Sequence, residues 1–358
     1  MTVKTVRVLD LGSVSALRSQ TVYHAVAYAM AKDTPDTILL VSPNQPYVCI
    51  GYHQDLAKEV DVAYCQAHGL PILRREVGGG AVYLDEGQVF TQWVFQKDHL
   101  PPNLERLFEF YIQPLVKTYR ALGINAYFRP VNDVHVDGKK IGGTGAAQIG
   151  LAQVVVGSLM FDFDKAAMAR ILNVPSEKMR DKVFESLEQY MTTMREQLGQ
   201  IPDRQAIKEL YLQKCAEVLA VETVPGEWTC AEEAMAVELD HRFSSQEWLL
   251  HKGGLRQVGV KIHEDVWVVE TAFKAPGGLI RVTARLREGR IDDLALSGDF
   301  TLLPAFAVSS LEQAVRGLRV TRSSLLACLS EAYRSLGIQS PGITPEHFTE
   351  AILLAVRG

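Results

Sequence analysis

Apolar and polar positions alternate or recur along most of the chain, and the period changes twice. "TVRVLDLG" alternates into a glycine turn and is predicted as an edge strand. Residues 17–31 carry apolar positions at helical spacing and run into "KDTPD". "TILLVS" and "YVCIGYH" are short apolar runs separated by "PNQP", which predicts two strands about a turn. "KEVDVAYCQAHG" has the pattern of a helix with a glycine exit, and "VFTQWVF" that of a strand. Residues 102–123 read as a helix that stops before "GINA". "NDVHVDGKKIGGTG" then predicts two short strands around a "DGKK" turn, and "GLAQVVVGSLMFDFD" one more.

From about residue 164 to 222 the period becomes helical, with "SLEQYMTTMREQLG" and "RQAIKELYLQKCAEVLAV" as helices. It changes again after residues 223–254. "LRQVGVKIHEDVWVVETAFKAPGGLIRVTARLREGRIDDLALSGDF" holds several strand candidates, and "AVSSLEQAVRGL", "TRSSLLACLSEAYRSLG" and "TPEHFTEAILLAV" follow as helices. Strands joined partly by hairpins and partly by helices imply an α+β protein with a mixed sheet. The division predicted is a domain over 1–245 and a small α+β domain over 246–358. A chain of 358 residues is long for one core and comfortable for two.

Composition narrows the function classes. Hydrophobic residues are 47% and charged residues 22%, with a formal net charge of -5, so no basic excess points to nucleic acid. The apolar stretches are too short to span a bilayer, and the start lacks the long apolar segment of a secretory signal. Five cysteines stand at 49, 65, 215, 230 and 328 with no CxxC pair, which fits reduced thiols in the cytoplasm. No membrane partner is expected, and the chain is expected to be a monomer.

Two stretches carry candidate chemistry. In "RREVGGGAV", Gly78, Gly79 and Gly80 let backbone amides approach an anion, with Arg74 and Arg75 offering planar donors for phosphate or carboxylate. A plain glycine turn with solvated arginines is as compatible with that stretch alone, and it matches neither a Walker A loop nor GxGxxG. In "RPVNDVHVDGKKIGGTGAAQ", a second glycine cluster lies near Lys139, Lys140 and Asp133. A lysine supplies a point charge, and Asp133 is a candidate oxygen ligand for magnesium. An ordinary hairpin tip is the alternative. Asp162 and Asp164 read as a solvent-facing strand end rather than a metal site, and His263, Glu264 and Asp265 make no convincing zinc set.

Taken together these motifs resemble the lipoate–protein ligases, whose fold is shared with biotin ligases and octanoyl transferases. The family pattern RRxSGGGAVxHDxGN is matched by "RREVGGGAVYLDEGQ", Arg74 to Gln88. The ND…K-[IV]-S-G-[ST] pattern is matched by Asn132, Asp133 and "KIGGT" from Lys140. "YVCIGYHQD" resembles the family's GxxQN strand end, and "REGRIDDLALSGDF" a string in the accessory domain of bacterial ligases. The chain departs at Val77, Leu84, Gln88, Gly142 and Val156, where relatives carry serine, histidine, asparagine, serine and histidine.

The resemblance implies a biotin/lipoate ligase-like catalytic domain with a fused accessory domain. It implies an ATP- and Mg2+-dependent enzyme that converts lipoate or octanoate to acyl-AMP and transfers the acyl group to a lysine of a lipoyl carrier domain or glycine-cleavage H-like protein. Lys140 is the implied catalytic residue. Arg75, Gly78, Gly79, Gly80, Val82, Tyr83, Asp133 and Lys140 are the implied nucleotide and acyl contacts, with Asp133 at the metal. Lys139, adjacent on a strand, is expected to face away. Related transferases use a cysteine thiolate, but no cysteine lies between Cys65 and Cys215 here, so the ATP-dependent route is favoured. A transferase without a cysteine nucleophile and a non-catalytic binding protein for lipoyl carrier domains are the alternatives.

Overall fold

The computed structural model describes residues 4–251, 261–263 and 266–357. The strand reading over residues 255–260, the acids 264 and 265, and the side chain of His263 lie outside the described residues.

The central sheet has six strands in the order Gly145–Ile149, Ala152–Met160, Gln88–Gln96, Thr37–Pro43, Thr5–Val14, Glu222–Pro225. It is mixed: Thr5–Val14 is parallel to both of its neighbours, whereas Gln88–Gln96 is antiparallel to both of its own. Thr5–Val14 is therefore not an edge strand. Glu222–Pro225 covers that edge and arrives from the far end of a helical excursion, a pairing that no local pattern announces.

Helices lie on both faces of this sheet. Leu104–Ala121 starts on Asn103, whose side chain accepts from the Arg106 amide, and ends before the left-handed Gly123. Its apolar stripe packs with Trp93, Tyr211 and Cys215 in the largest core cluster. Ala16–Tyr28 covers the opposite face through Val22, Tyr23 and Val26. On it lies Cys230–Phe243, begun by a capping box between Thr229 and Glu232. The expected single helix at "KEVDVAYCQAHG" is two short ones, Leu56–Glu59 and Val62–Ala67, because Asp61 caps the second and leaves Val60 extended.

Two small three-stranded sheets carry the motifs. Tyr47–Ile50 lies between Ile72–Arg74 and Val82–Leu84. Ala126–Arg129, Asp133–Val136 and Lys139–Gly143 form a meander whose second turn places Asp137 and Gly138 at φ 49 and 80. The helix expected across "SLEQYMTTMREQLG" is broken. It ends at Tyr190 and restarts at Met194, and between them the Thr192 amide donates to the Lys140 carbonyl at 2.9 Å.

The C-terminal part has its own antiparallel sheet, Lys261–His263, Val266–Ala275, Gly278–Arg287 and Arg290–Gly298, and its own core with the helices Ala307–Ala314, Arg322–Leu336 and Pro345–Arg357. The predicted α+β class and the C-terminal α+β elements both hold. Residues through Leu249 still pack on the first part: Trp248 Nε1 donates to the Arg74 carbonyl at 2.9 Å and stacks on Phe243.

Candidate active site

The two parts face each other across a cleft of about 560 Å³, within the size range of small-molecule sites. Arg75, Gly78, Gly79, Gly80, Val82, Tyr83, Asp133 and Lys140 all line it, so two motifs far apart in sequence meet in one place. Lys274, Pro276, Gly277, Gly278 and Asp299 supply the wall from the C-terminal part.

Lys140 lies in the strand Lys139–Gly143, and its ammonium is 2.8 Å from Asp133 Oδ1. The register brings Asp133 opposite Gly143, where a Cβ would come within 2.8 Å of the Lys140 Nζ. The second glycine of "KIGG" is thus the space the ammonium occupies. Asn132 and Thr144 staple the ends of this hairpin: the Thr144 amide donates to the Asn132 carbonyl at 2.9 Å, and the Asn132 amide group donates back to the Thr144 carbonyl. Lys139 turns away from the cleft and donates to the Glu188 carbonyl at 3.3 Å.

The two arginines have separate structural contacts. Arg74 is fully buried and touches no cleft surface. Its guanidinium donates to the carbonyls of Gly51, Tyr52, Gln54 and Leu249, and burial pulls its pKa down to about 10. Arg75 lines the cleft, but its fork is spent on the loop itself, on the carbonyls of Cys49, Gly78 and Gly80 at 3.2, 3.1 and 2.8 Å. These contacts turn the Gly78 and Gly80 carbonyls toward Arg75 and so fix the course of the glycine loop.

Gly78 has a second constraint. A Cβ there would meet the Phe300 carbonyl oxygen and Thr301 Cα at 2.8 Å each. The Gly79 amide donates to the same Phe300 carbonyl, His53 stacks on the Phe300 ring, and the His53 carbonyl accepts from the Gly298 amide at 3.0 Å. The glycine run is thus also the seat of the C-terminal part, which is clamped further by Arg281–Glu59 at 2.7 Å and by Lys58 with Glu270.

The remaining polar residues have local duties. Asp85 accepts from the Gly87 amide at 2.8 Å, with its pKa raised by burial. Asp164 caps the helix Lys165–Ile171, and Asp162 pairs with Arg195, so neither offers a metal site. No three His, Cys, Asp or Glu side chains converge as metal ligands among the described residues. No cysteine lines the cleft. Cys49, Cys65 and Cys215 are buried, and burial pushes all three thiols up.

Sequence reasoning missed several lining residues. Gln20, Tyr23 and Gln92 come from the helix Ala16–Tyr28 and the strand Gln88–Gln96, inside ordinary apolar patterns. Gln92 is buried and its Oε1 has no hydrogen-bond partner. Arg129, three residues before the ND pair, and Lys274, beside "PGG", gave no signal beyond their charge. Among the departures, Val77 and Val156 line the cleft as apolar wall.

A glycine loop and a carboxylate-held lysine thus meet between a mixed-sheet unit and an α+β cover. The chain belongs to the lipoyl protein ligase A/B catalytic domain family, whose model matches residues 17–216. It is 28% identical over 275 residues to octanoyltransferase LipM of Kyrpidia tusciae, covering 70% of this chain and the whole of that protein. It is 25% identical over 321 residues to lipoate–protein ligase 2 of Staphylococcus aureus, covering 86% of this chain and 88% of that one. Among solved structures, the bi-partite lipoate protein ligase of Thermoplasma acidophilum matches with a TM-score of 0.64 and 26% identity over 72% of this chain and 99% of that chain. LipL1 of Plasmodium falciparum, at 13% identity, shares the fold over 98% of this chain and 99% of its own, with a TM-score of 0.71. Among the described residues, no helix is long and apolar enough to cross a membrane.

Proposed function

We propose that this chain is an ATP-dependent lipoate– or octanoate–protein ligase. In the first step a carboxylate oxygen of the acid attacks the α-phosphorus of ATP, the bond from that phosphorus to the bridging oxygen breaks, and pyrophosphate leaves with the electron pair. In the second, the neutral ε-amine of a carrier lysine attacks the acyl carbon, the carbon–oxygen bond to phosphate breaks, AMP departs, and the amine proton passes to solvent. Lys140 is assigned the central role. Its ammonium, fixed by Asp133 at 2.8 Å, offsets charge where two anions must meet. The glycine loop Gly78 to Gly80, held by Arg75, lines the same place, and Val82 and Tyr83 form the adjoining wall. Val77, Phe90, Val156 and Met160 offer apolar surface to an acyl chain, worth roughly 0.8 kcal/mol per buried methylene. The covering part excludes water from a hydrolysable anhydride.

Magnesium entering with a nucleotide needs only one or two protein carboxylates, the rest of its shell coming from phosphates and water. Asp133 is in place for that while also holding Lys140, so the cleft fits such an ion, which would supply neutralisation of phosphate charge. The acceptor we infer is a lipoyl carrier domain or a glycine-cleavage H-like protein. The Thermoplasma structure describes such a ligase and its E2 lipoyl domain. We place the catalytic unit from the start of the chain to Leu249, slightly beyond residue 245, and the accessory unit after it, because Trp248 and Leu249 bond to Arg74. Five unpaired cysteines support a reducing, cytoplasmic setting.

The observation that carries the ligase reading is the Lys140–Asp133 pair facing the glycine loop in a cleft with no thiol on its wall. The relationship to LipM favours an octanoyl transferase as the second reading, and the same missing thiol argues against it. The match to the Staphylococcus ligase also extends further along the chain than the match to LipM. Pyrophosphate release from ATP with octanoate or lipoate, followed by amide formation on a carrier domain, tests the proposal. ATP-independent octanoyl transfer from an octanoylated carrier would replace it with the transferase reading. Carrier binding with neither chemistry would leave the non-catalytic one.

A further inference from the structure

The cleft holds more positive charge than the two steps above use. Among the described residues, four cationic side chains line it: Arg75, Arg129, Lys140 and Lys274. Arg75 is consumed by loop carbonyls and Lys140 is paired with Asp133. Arg129 and Lys274 have no carboxylate partner among the described residues.

Arg129 is nevertheless held. Its Nη1 lies 3.4 Å from Nε2 of His135, which is 4% exposed. The other ring nitrogen, Nδ1, is 3.2 Å from the Gly138 carbonyl. A carbonyl can only accept, so Nδ1 carries the hydrogen and Nε2 is left as the acceptor for Arg129. Asp133 Oδ2 is 3.8 Å from the same Nε2. Arg129, held by His135, and the lysine-holding Asp133 thus stand beside each other in one hairpin. Lys274 enters from the opposite wall, at the end of the strand Val266–Ala275 and beside the turn residues Pro276 and Gly277 that also line the cleft.

We propose that Arg129 and Lys274 bind the two terminal phosphates of the nucleotide, the pair that leaves as pyrophosphate, and that His135 is the positioning residue for Arg129. This rests on the ligase reading. A triphosphate needs more than one cation, and the α-phosphate already engages Lys140. A guanidinium takes two phosphate oxygens at once, and an ammonium on a flexible stem supplies a point charge from the other side. Both groups are unspent, both face the cleft, and they approach it from different parts of the chain.

The test uses the full-length protein with Arg129→Gln, Lys274→Gln, His135→Leu and His135→Gln. Inhibition by added inorganic pyrophosphate and KM for ATP are measured by adenylate formation. Transfer to a carrier domain from preformed octanoyl-adenylate, which lacks those phosphates, is read in parallel. Arg129→Gln should raise both the pyrophosphate inhibition constant and KM for ATP roughly tenfold or more, the loss of a charge-assisted bond. Lys274→Gln should shift them in the same direction, and transfer from the adenylate should stay near wild type. His135→Leu should follow Arg129→Gln, whereas His135→Gln, which keeps an acceptor for the guanidinium, should recover most of the affinity. Unchanged pyrophosphate inhibition in both charge variants, or an equal loss of adenylate transfer, overturns the assignment. If the wild type releases no pyrophosphate, it is the ligase reading that fails. Calorimetric binding of pyrophosphate to the wild type and to the Arg129→Gln, Lys274→Gln double variant then decides the site: equal binding, or none to the wild type, overturns it.

Discussion

Replacing Lys140 by alanine removes a cation that the fold has already oriented, and the loss can be sized. Removing one preorganised donor from a developing anion costs about 2.7–4 kcal/mol, or about 100- to 1,000-fold in rate. A second cost comes from Asp133, whose carboxylate loses its partner at 2.8 Å and now faces the incoming anions. The Lys140 and Asp133 side chains are 38% and 25% exposed, so water screens that repulsion toward the weak end, about 1 kcal/mol for charges near 4 Å apart. The sum is a fall of roughly 500- to 5,000-fold in adenylation. Lys139→Ala is the control and should cost under about 1 kcal/mol of stability, because it gives up one surface bond to the Glu188 carbonyl. Lys140→Arg should not restore the rate, since the space left by Gly143 fits an ammonium rather than a planar fork. The assay is pyrophosphate release normalised to folded protein. A Lys140→Ala rate within threefold of wild type, or a larger effect from Lys139→Ala, would refute the reasoning.

Gly78→Ala should push the accessory unit away, since its Cβ would lie 2.8 Å from backbone atoms at Phe300 and Thr301. The expected result is about 1–3 kcal/mol lost from the closed interface and faster hydrolysis of acyl-adenylate, read as AMP formed without amide. Arg74→Met should destabilise by at least about 3 kcal/mol in urea unfolding, because several buried carbonyls lose their donor at once, whereas Arg75→Met should cost less stability and more activity. His24 is fully buried and burial holds its pKa below the usual value, so the unfolded chain takes up a proton in mild acid that the folded chain refuses. Stability should therefore be intact above about pH 6.5 and fall below it with a slope approaching about 1.4 kcal/mol per unit, and His24→Asn should flatten that slope in unfolding titrations.

What the sequence determined by itself was local. Strand alternation separates Lys139 from Lys140, because neighbours on a strand point to opposite faces wherever the strand sits in the fold. The glycine runs, the "DGKK" turn and the helical periods likewise depend on dihedral preferences and on which face is apolar, and the structure keeps nearly all of them. Tertiary structure decided whatever depended on distant partners. Arg74 and Arg75 are identical neighbours, yet one caps carbonyls in the interior and the other holds the loop of the cleft. The helical period across Met191 gives way to an extended segment because the Thr192 amide finds the Lys140 carbonyl. Thr5–Val14 is covered at its edge by Glu222–Pro225, and Lys274 reaches the cleft from a second core. Each of these outcomes turns on a hydrogen-bond partner or a charge far away in sequence, and a backbone group or guanidinium has no fixed role until folding supplies that partner.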